Sequence, residues 1–197
     1  MNERSPIAIC GHSLGGRIAL QYSNDLTKTS THGIRPPQQT WILDSVPGQP
    51  DPSVHSVVKA ISSIPLPISS KSGLSKTLKE KYHFNKTIAM WMASNLKPMD
   101  GGFEWIFDLN IAKELLSNFA EQNFHEQIGN ITTQQVVHLV MAGRNHEWTQ
   151  HIIDGLQSIQ REPSERFQLH KLVNAGHWVH VDDLEGLLEL MVGSLKR

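Results

Sequence analysis

A single cysteine, Cys10, stands in 197 residues. With no second thiol there is no intrachain disulfide, and no cysteine-based metal site can form. Surplus charge is equally scarce: 18 basic residues face 19 acidic ones, for a net charge of −1. That balance gives no electrostatic case for a nucleic acid or an anionic membrane as partner. No apolar run approaches the roughly 20 residues of a membrane span. The start, "MNERSPIAIC", lacks the long apolar stretch of a signal peptide. There is no internal repeat and no low-complexity tract, and the scattered histidines show no metal-ligand spacing. What remains is 39% hydrophobic and 19% charged residues, ordinary usage for one soluble domain with a real core.

The patterning of that core is α/β. "SPIAIC" (5–10) is a short, partly β-branched run ending at glycine and reads as a buried strand. "LGGRIALQYSN" (14–24) offers Ile18, Ala19, Leu20 and Tyr22 as one helix face, and Asn24-Asp25 opens a polar loop. "TWILDSVPG" (40–48) is a second strand, stopped by Pro47-Gly48. Strand, helix and strand in this order form the βαβ unit of a parallel sheet. From 51 to about 130 the spacing is helical in "SVVKAISSI", "GLSKTLKEKY", "KTIAMWMASNL" and "NIAKELLSNFAEQN". Pro65 and Pro67 separate the first two segments, and Pro98 with Gly101-Gly102 separates the last two. This block reads as a helical insertion. Strands return at "QVVHLVMAG" (135–143) and "RFQLHKLVNAG" (166–176), with a helix at 149–159 between them. A closing amphipathic helix follows, with Asp183 as N-cap. The expectation is about four parallel strands with covering helices.

Between the first strand and first helix lies Gly11-His12-Ser13-Leu14-Gly15, a G-x-S-x-G match that Gly16 extends. Three fixed positions recur by chance in roughly a few per cent of chains this long, so the context carries the weight. A sharp strand-to-helix turn lifts a serine hydroxyl clear of the sheet, glycines leave room for the backbones packed against the turn, and the Leu14 N–H points at a developing oxyanion. The alternative is a glycine-rich turn with an idle serine. A catalytic serine needs a base, and the base an orienting carboxylate. His177 directly follows the last strand, at the sheet edge where open α/β sheets carry their sites. His180 lies on the way into the final helix, and His12 is expected to pack beside the elbow. For the carboxylate, Asp44 ends the strand next to the nucleophile strand, whereas "RNHEW" after 135–143 supplies Glu147 as its rival. Asp44 is favoured; the bland reading of it is a turn residue.

"GHSLGG", "WILDSVPG", "MASNLKPMDGGFEWIFDLN" and "AGHWVHVDD", in that order, resemble the α/β-hydrolase family of serine esterases and lipases, within it the small abhydrolase-domain esterase branch. The resemblance implies a partial α/β-hydrolase fold with Ser13 as nucleophile, His177 as base and, in this branch, Asp44 as acid. It implies that 51–130 is a helical lid within a single domain of residues 1–197, with Met90, Trp91, Met92, Trp105 and Phe107 as candidates to line an acyl pocket. It implies no metal or organic cofactor. The departure from the family lies before the elbow, where members run several further strands and helices. The sequence therefore reads as an N-terminally truncated, elbow-to-C-terminus portion. A loop of that missing part supplies the second oxyanion donor in the family, and losing one donor typically costs about 10²–10³ in turnover. The missing strands would also leave "SPIAIC" with a bare edge open to a partner strand or a second copy. A targeting segment would be lost with them, so the compartment, cytoplasmic or organellar, is open. The expected function is hydrolysis of a small-molecule acyl ester or thioester. The competing expectation is a catalytically impaired hydrolase-like module that binds a ligand or protein partner.

Overall fold

The computed structural model describes residues 6–28, 35–48, 52–129, 131, 135–160 and 166–195. In chain order, β1 (Ala8–His12), α1 (Leu14–Lys28) and β2 (Gln39–Leu43) come first. α2 (Pro52–Ser62), α3 (Lys71–Glu80), α4 (Lys86–Ser94), β3 (Leu96–Met99), β4 (Gly102–Trp105) and α5 (Leu109–Glu121) follow. α6 (Phe124–Gly129), β5 (Val136–Ala142), α7 (Gln150–Gln160), β6 (Phe167–Leu172), α8 (Val179–Asp182) and α9 (Leu184–Leu195) complete the chain. Contacts divide it into two compact units, Met1–Gly48 with Asn123–Arg197, and Gln49–Gln122.

The first unit is an α/β layer structure around a four-stranded sheet of order β1-β2-β5-β6, parallel at every pairing. β5 apart from His138, and β2 from Trp41 onward, are apolar, because a parallel sheet is covered on both faces. Side chains alternate between two cores. Ile42, Val137 and Leu139 pack with Leu20 of α1, Phe124 and Ile128 of α6 and Leu156 of α7. Trp41, Leu43, Val140 and Ala142 pack with Val179 of α8 and Leu187 of α9. Among the described residues β1 takes no strand on its outer side. In register, His12 lies opposite Leu43 and Leu43 opposite Val140. The ends of β1 and β2 therefore form one rim, with the exit of β5 beside them.

The strand expected at 5–10 is β1, shifted to Ala8–His12; Ser5 lies outside the described residues. α1 runs on to Lys28, past the loop expected at Asn24-Asp25. Its polar residues are matched by tertiary and in-helix partners. Ser23 Oγ lies 2.6 Å from Thr40 Oγ1, Asn24 Nδ2–H donates to the Gln127 carbonyl at 3.1 Å, and Gln21 Nε2–H reaches Asp25 at 2.8 Å. Asp183 accepts the Gly186 N–H at 3.1 Å, a capping bond at the start of α9.

The second unit packs α2, α3 and α4 with the β3–β4 hairpin around Ile61, Leu74, Leu78, Met92, Leu96 and Trp105. Caps start its helices: Ser70 Oγ accepts the Gly73 N–H, Asn85 the Ile88 N–H and Asp108 the Asn110 N–H. The hairpin replaces part of the expected helical block. Leu96 pairs with Trp105 and Met99 with Gly102, which leaves Asp100-Gly101 as a two-residue turn with Gly101 at φ +79°. The Pro and Gly residues read as a break between helices are the turn and strand of that hairpin. Asp51 and Asn130, the expected bounds of the insertion, lie outside the described residues. Among the described residues no helix is long and apolar enough to cross a membrane.

Candidate active site

Ser13 and Asp44 occupy equivalent places, one residue beyond the ends of β1 and β2, and both have positive φ, +54° and +44°. Left-handed backbone is costly for residues with a Cβ and persists where the surroundings impose it. The surroundings here are the sheet itself. The Ser13 N–H donates to the Leu43 carbonyl at 2.9 Å, and the Asp44 N–H to the Val140 carbonyl at 2.8 Å. Each strand makes one more inter-strand bond and then turns sharply, so both side chains rise from the same rim. The Ser13 carbonyl accepts the Gly16 N–H at 3.0 Å and α1 begins at Leu14.

Two of the motif's glycines are sterically required. A Cβ on Gly11 would fall on the Gly15 carbonyl, and one on Gly16 would sit 2.7 Å from Ile42 Cγ2. Gly15 differs: a Cβ there meets nothing within 4 Å. The expected need for small residues on both sides of the serine is thus met by Gly11 and Gly16, and Gly15 contributes its carbonyl to the close approach.

Asp44 is 1% exposed and its carboxylate is filled by four donors. Oδ1 accepts the Ala142 N–H at 2.8 Å and Trp148 Nε1–H at 2.6 Å. Oδ2 accepts Asn145 Nδ2–H and His177 Nδ1–H, each at 2.8 Å. Burial alone would raise its pKa, but the bonds from His177, Trp148, Ala142 and Asn145 outweigh burial and hold the carboxyl below its ordinary value. With Nδ1 donating to Asp44, a neutral His177 has a bare Nε2 lone pair. Its ring is 44% exposed. Among the described residues no hydrogen bond joins Ser13 Oγ to His177 Nε2.

Glu147 is exposed, with its backbone N–H on Asn145 Oδ1 at 3.0 Å. The segment read for its glutamate thus gives Asp44 two donors, Asn145 and Trp148, that the sequence reading missed. Their one signal was position, just beyond the end of β5. His12 is half-buried, with Nε2–H donating to the His177 carbonyl at 2.7 Å. Burial, with His177 and His180 nearby, lowers its pKa against the smaller pull of that bond and of Asp44. His180 lies on α8, its ring centroid 4.9 Å from that of His12. Trp91, Trp105 and Phe107 belong to the second unit. Trp105 is buried in its core at 5% exposure, Phe107 packs against that core, and Trp91 is 47% exposed. Among the described residues, no group of three or more His, Cys, Asp or Glu side chains could hold a metal ion.

A parallel sheet with a serine on a strained strand-to-helix turn, and an acid–imidazole pair on the same rim, is the architecture of the α/β-hydrolase fold, and this chain has that fold. It aligns with a marine microorganism esterase at a TM-score of 0.73 and 18% identity, over 96% of this chain and 70% of that one. It also aligns with E-2-(acetamidomethylene)succinate hydrolase at a TM-score of 0.65 and 14% identity, over 98% of this chain and 68% of the other. A thioesterase domain from the curacin biosynthetic pathway aligns at a TM-score of 0.56 and 17% identity, over 95% of this chain and 65% of that one. No known family model matches the sequence, and no curated protein does.

Proposed function

We propose that this protein is a serine hydrolase of carboxylic esters or thioesters, with Ser13 as nucleophile, His177 as base and Asp44 as orienting acid. The observation that carries the reading is the 2.8 Å bond from His177 Nδ1–H to a buried Asp44, one rim position from a serine held at φ +54°. Ser13 Oγ attacks the carbonyl carbon while its proton passes to His177 Nε2. Asp44 stays ionised and stabilises the imidazolium across that bond. The Leu14 N–H, at the start of α1, donates to the oxyanion. The imidazolium then protonates the leaving alcohol or thiol, and water, deprotonated by His177, releases the acid from the acyl-enzyme. The esterase and thioesterase named above have this fold and support the choice of bond. The second unit, Gln49–Gln122, is read as the lid expected over 51–130, with α6 left out because Phe124 and Ile128 pack in the first unit's core. Trp91 is a better pocket candidate than Trp105, whose ring fills its own unit's core.

The test is a fluorophosphonate probe on the purified chain, followed by aryl esters of graded acyl length. Labelling at Ser13 that disappears in Ser13→Ala is the expected result. A folded protein that never labels would instead favour a non-catalytic module that binds a ligand or partner. In the active protein, Trp91→Ala should shift the preferred acyl length. An unchanged preference removes Trp91 from the pocket.

A further inference from the structure

The residue before the proposed nucleophile makes a bond that the triad scheme leaves unused. His12 Nε2 lies 2.7 Å from the backbone carbonyl of His177, 165 positions away in sequence. A carbonyl only accepts, so Nε2 carries the hydrogen and the tautomer of His12 is fixed. The rings also meet, with centroids 4.6 Å apart.

His177 needs such a tie. It lies beyond the end of β6, before α8, with its ring 44% exposed, between Ala175 and Val179, which are buried in the core. Polar bonds add to that anchorage. The Ala175 carbonyl accepts the Arg144 N–H at 2.9 Å, and the Gly176 N–H donates to Asp182 Oδ2 at 2.8 Å. The Asp44 bond fixes the direction of the imidazole, and none of the contacts just named ties the His177 segment to the elbow. The His12 bond supplies that tie, from the elbow that carries Ser13 to the His177 carbonyl. Nucleophile and base are thereby tied through adjacent residues. A displacement of about 1 Å at such a pair can cost on the order of 10²-fold in rate.

We propose that His12 is a positioning residue, whose Nε2–H bond to the His177 carbonyl sets the distance between His177 and Ser13. The proposal rests on the hydrolase reading above. The test compares the rate of Ser13 labelling by a fluorophosphonate, the thermal midpoint, and kcat and KM for one aryl ester in wild type, His12→Gln, His12→Asn and His12→Leu. A glutamine amide reaches the depth of the imidazole Nε2, while an asparagine amide stops short of it. His12→Gln should label within about threefold of wild type, and His12→Asn and His12→Leu about 10- to 100-fold more slowly, with the loss in kcat rather than KM. A merely structural role would lower the midpoint of all three without separating Gln from Asn. Equal rates for Gln and Asn, or a His12→Asn rate matching wild type, would overturn the proposal. The Gln–Asn pair decides even if His12→Leu does not fold. A wild type that never labels at Ser13 sinks the hydrolase reading and this proposal with it. A wild type that labels while His12→Asn labels equally well sinks the positioning role alone.

Discussion

Asp44 accepts four hydrogen bonds, enough to occupy every lone-pair site of a carboxylate. An amide at that position could accept on one atom only and would present N–H groups to donors. Asp44→Asn should therefore slow Ser13 acylation by about 10⁴-fold, the scale of inverting the imidazole tautomer in a serine triad. Glu147→Gln should change it little. Pre-steady-state labelling of both variants checks this, and the opposite ranking would make Glu147 the acid. Trp148→Phe removes the 2.6 Å donor while keeping most of the ring. It should raise the Asp44 pKa and destabilise the fold by about 1–3 kcal/mol, the cost of leaving one buried acceptor short; urea unfolding measures it. At this scale the candidates Ser13, Asp44 and His177 could be picked out because each sits where a strand pattern stops. Asn145 and Trp148 were not, because a donor reaching in from a loop leaves no spacing to read. The partner of His12 is 165 residues away.

The elbow is the element on which the site depends, and its glycines are not equivalent. Gly11→Ala drives a Cβ into the Gly15 carbonyl and so into the first turn of α1. Backbone cannot step aside as a flexible side chain can, so this variant should lose about 3 kcal/mol or more of stability. Gly15→Ala meets nothing within 4 Å on the second residue of α1. It should fold as well as wild type or gain about 0.5–1 kcal/mol from helix propensity. Thermal unfolding of the pair checks both, and a Gly15→Ala collapse would mean that the close approach is wrongly described. Patterning made β1, β2 and β5 readable as short apolar runs that end in turn residues, and β6 readable from its alternation of apolar and polar residues. It failed at the end of α1, where Ser23 and Asn24 are polar yet buried against Thr40 and Gln127. It failed again at 96–105, where four-residue strands are too short to show alternation against the helices on either side. There the Asp100-Gly101 pair was the signal to weigh.

The sheet of the first unit carries a pair of imidazoles, and it contributes to how the folded state responds to acid. His138 of β5 is 1% exposed, lies face to face with Trp41 at a ring separation of 4.0 Å, and has its Nδ1 3.0 Å from Nε2 of His170 on β6. One N–H is shared between two imidazoles, so the pair fits its place when neutral. Burial, with His170 beside it, pushes the pKa of His138 down to about 4. The unfolded chain takes up its proton near the ordinary value of 6.5, the folded chain only near 4. Stability from this site is therefore complete above about pH 6.5 and lost as the pH falls toward 4, by up to about 3 kcal/mol. His12, His125 and His170 are shifted in the same direction, so the wild-type acid limb is their sum, and a variant is needed to isolate the share of His138. His138→Asn puts an amide at the depth of Nδ1, the atom that faces His170, but does not titrate. Its unfolding free energy, measured in urea from pH 7 to pH 4.5, should start lower than that of wild type and fall less steeply. Parallel curves would mean that His138 takes no part in the acid response and that the loss arises at other groups.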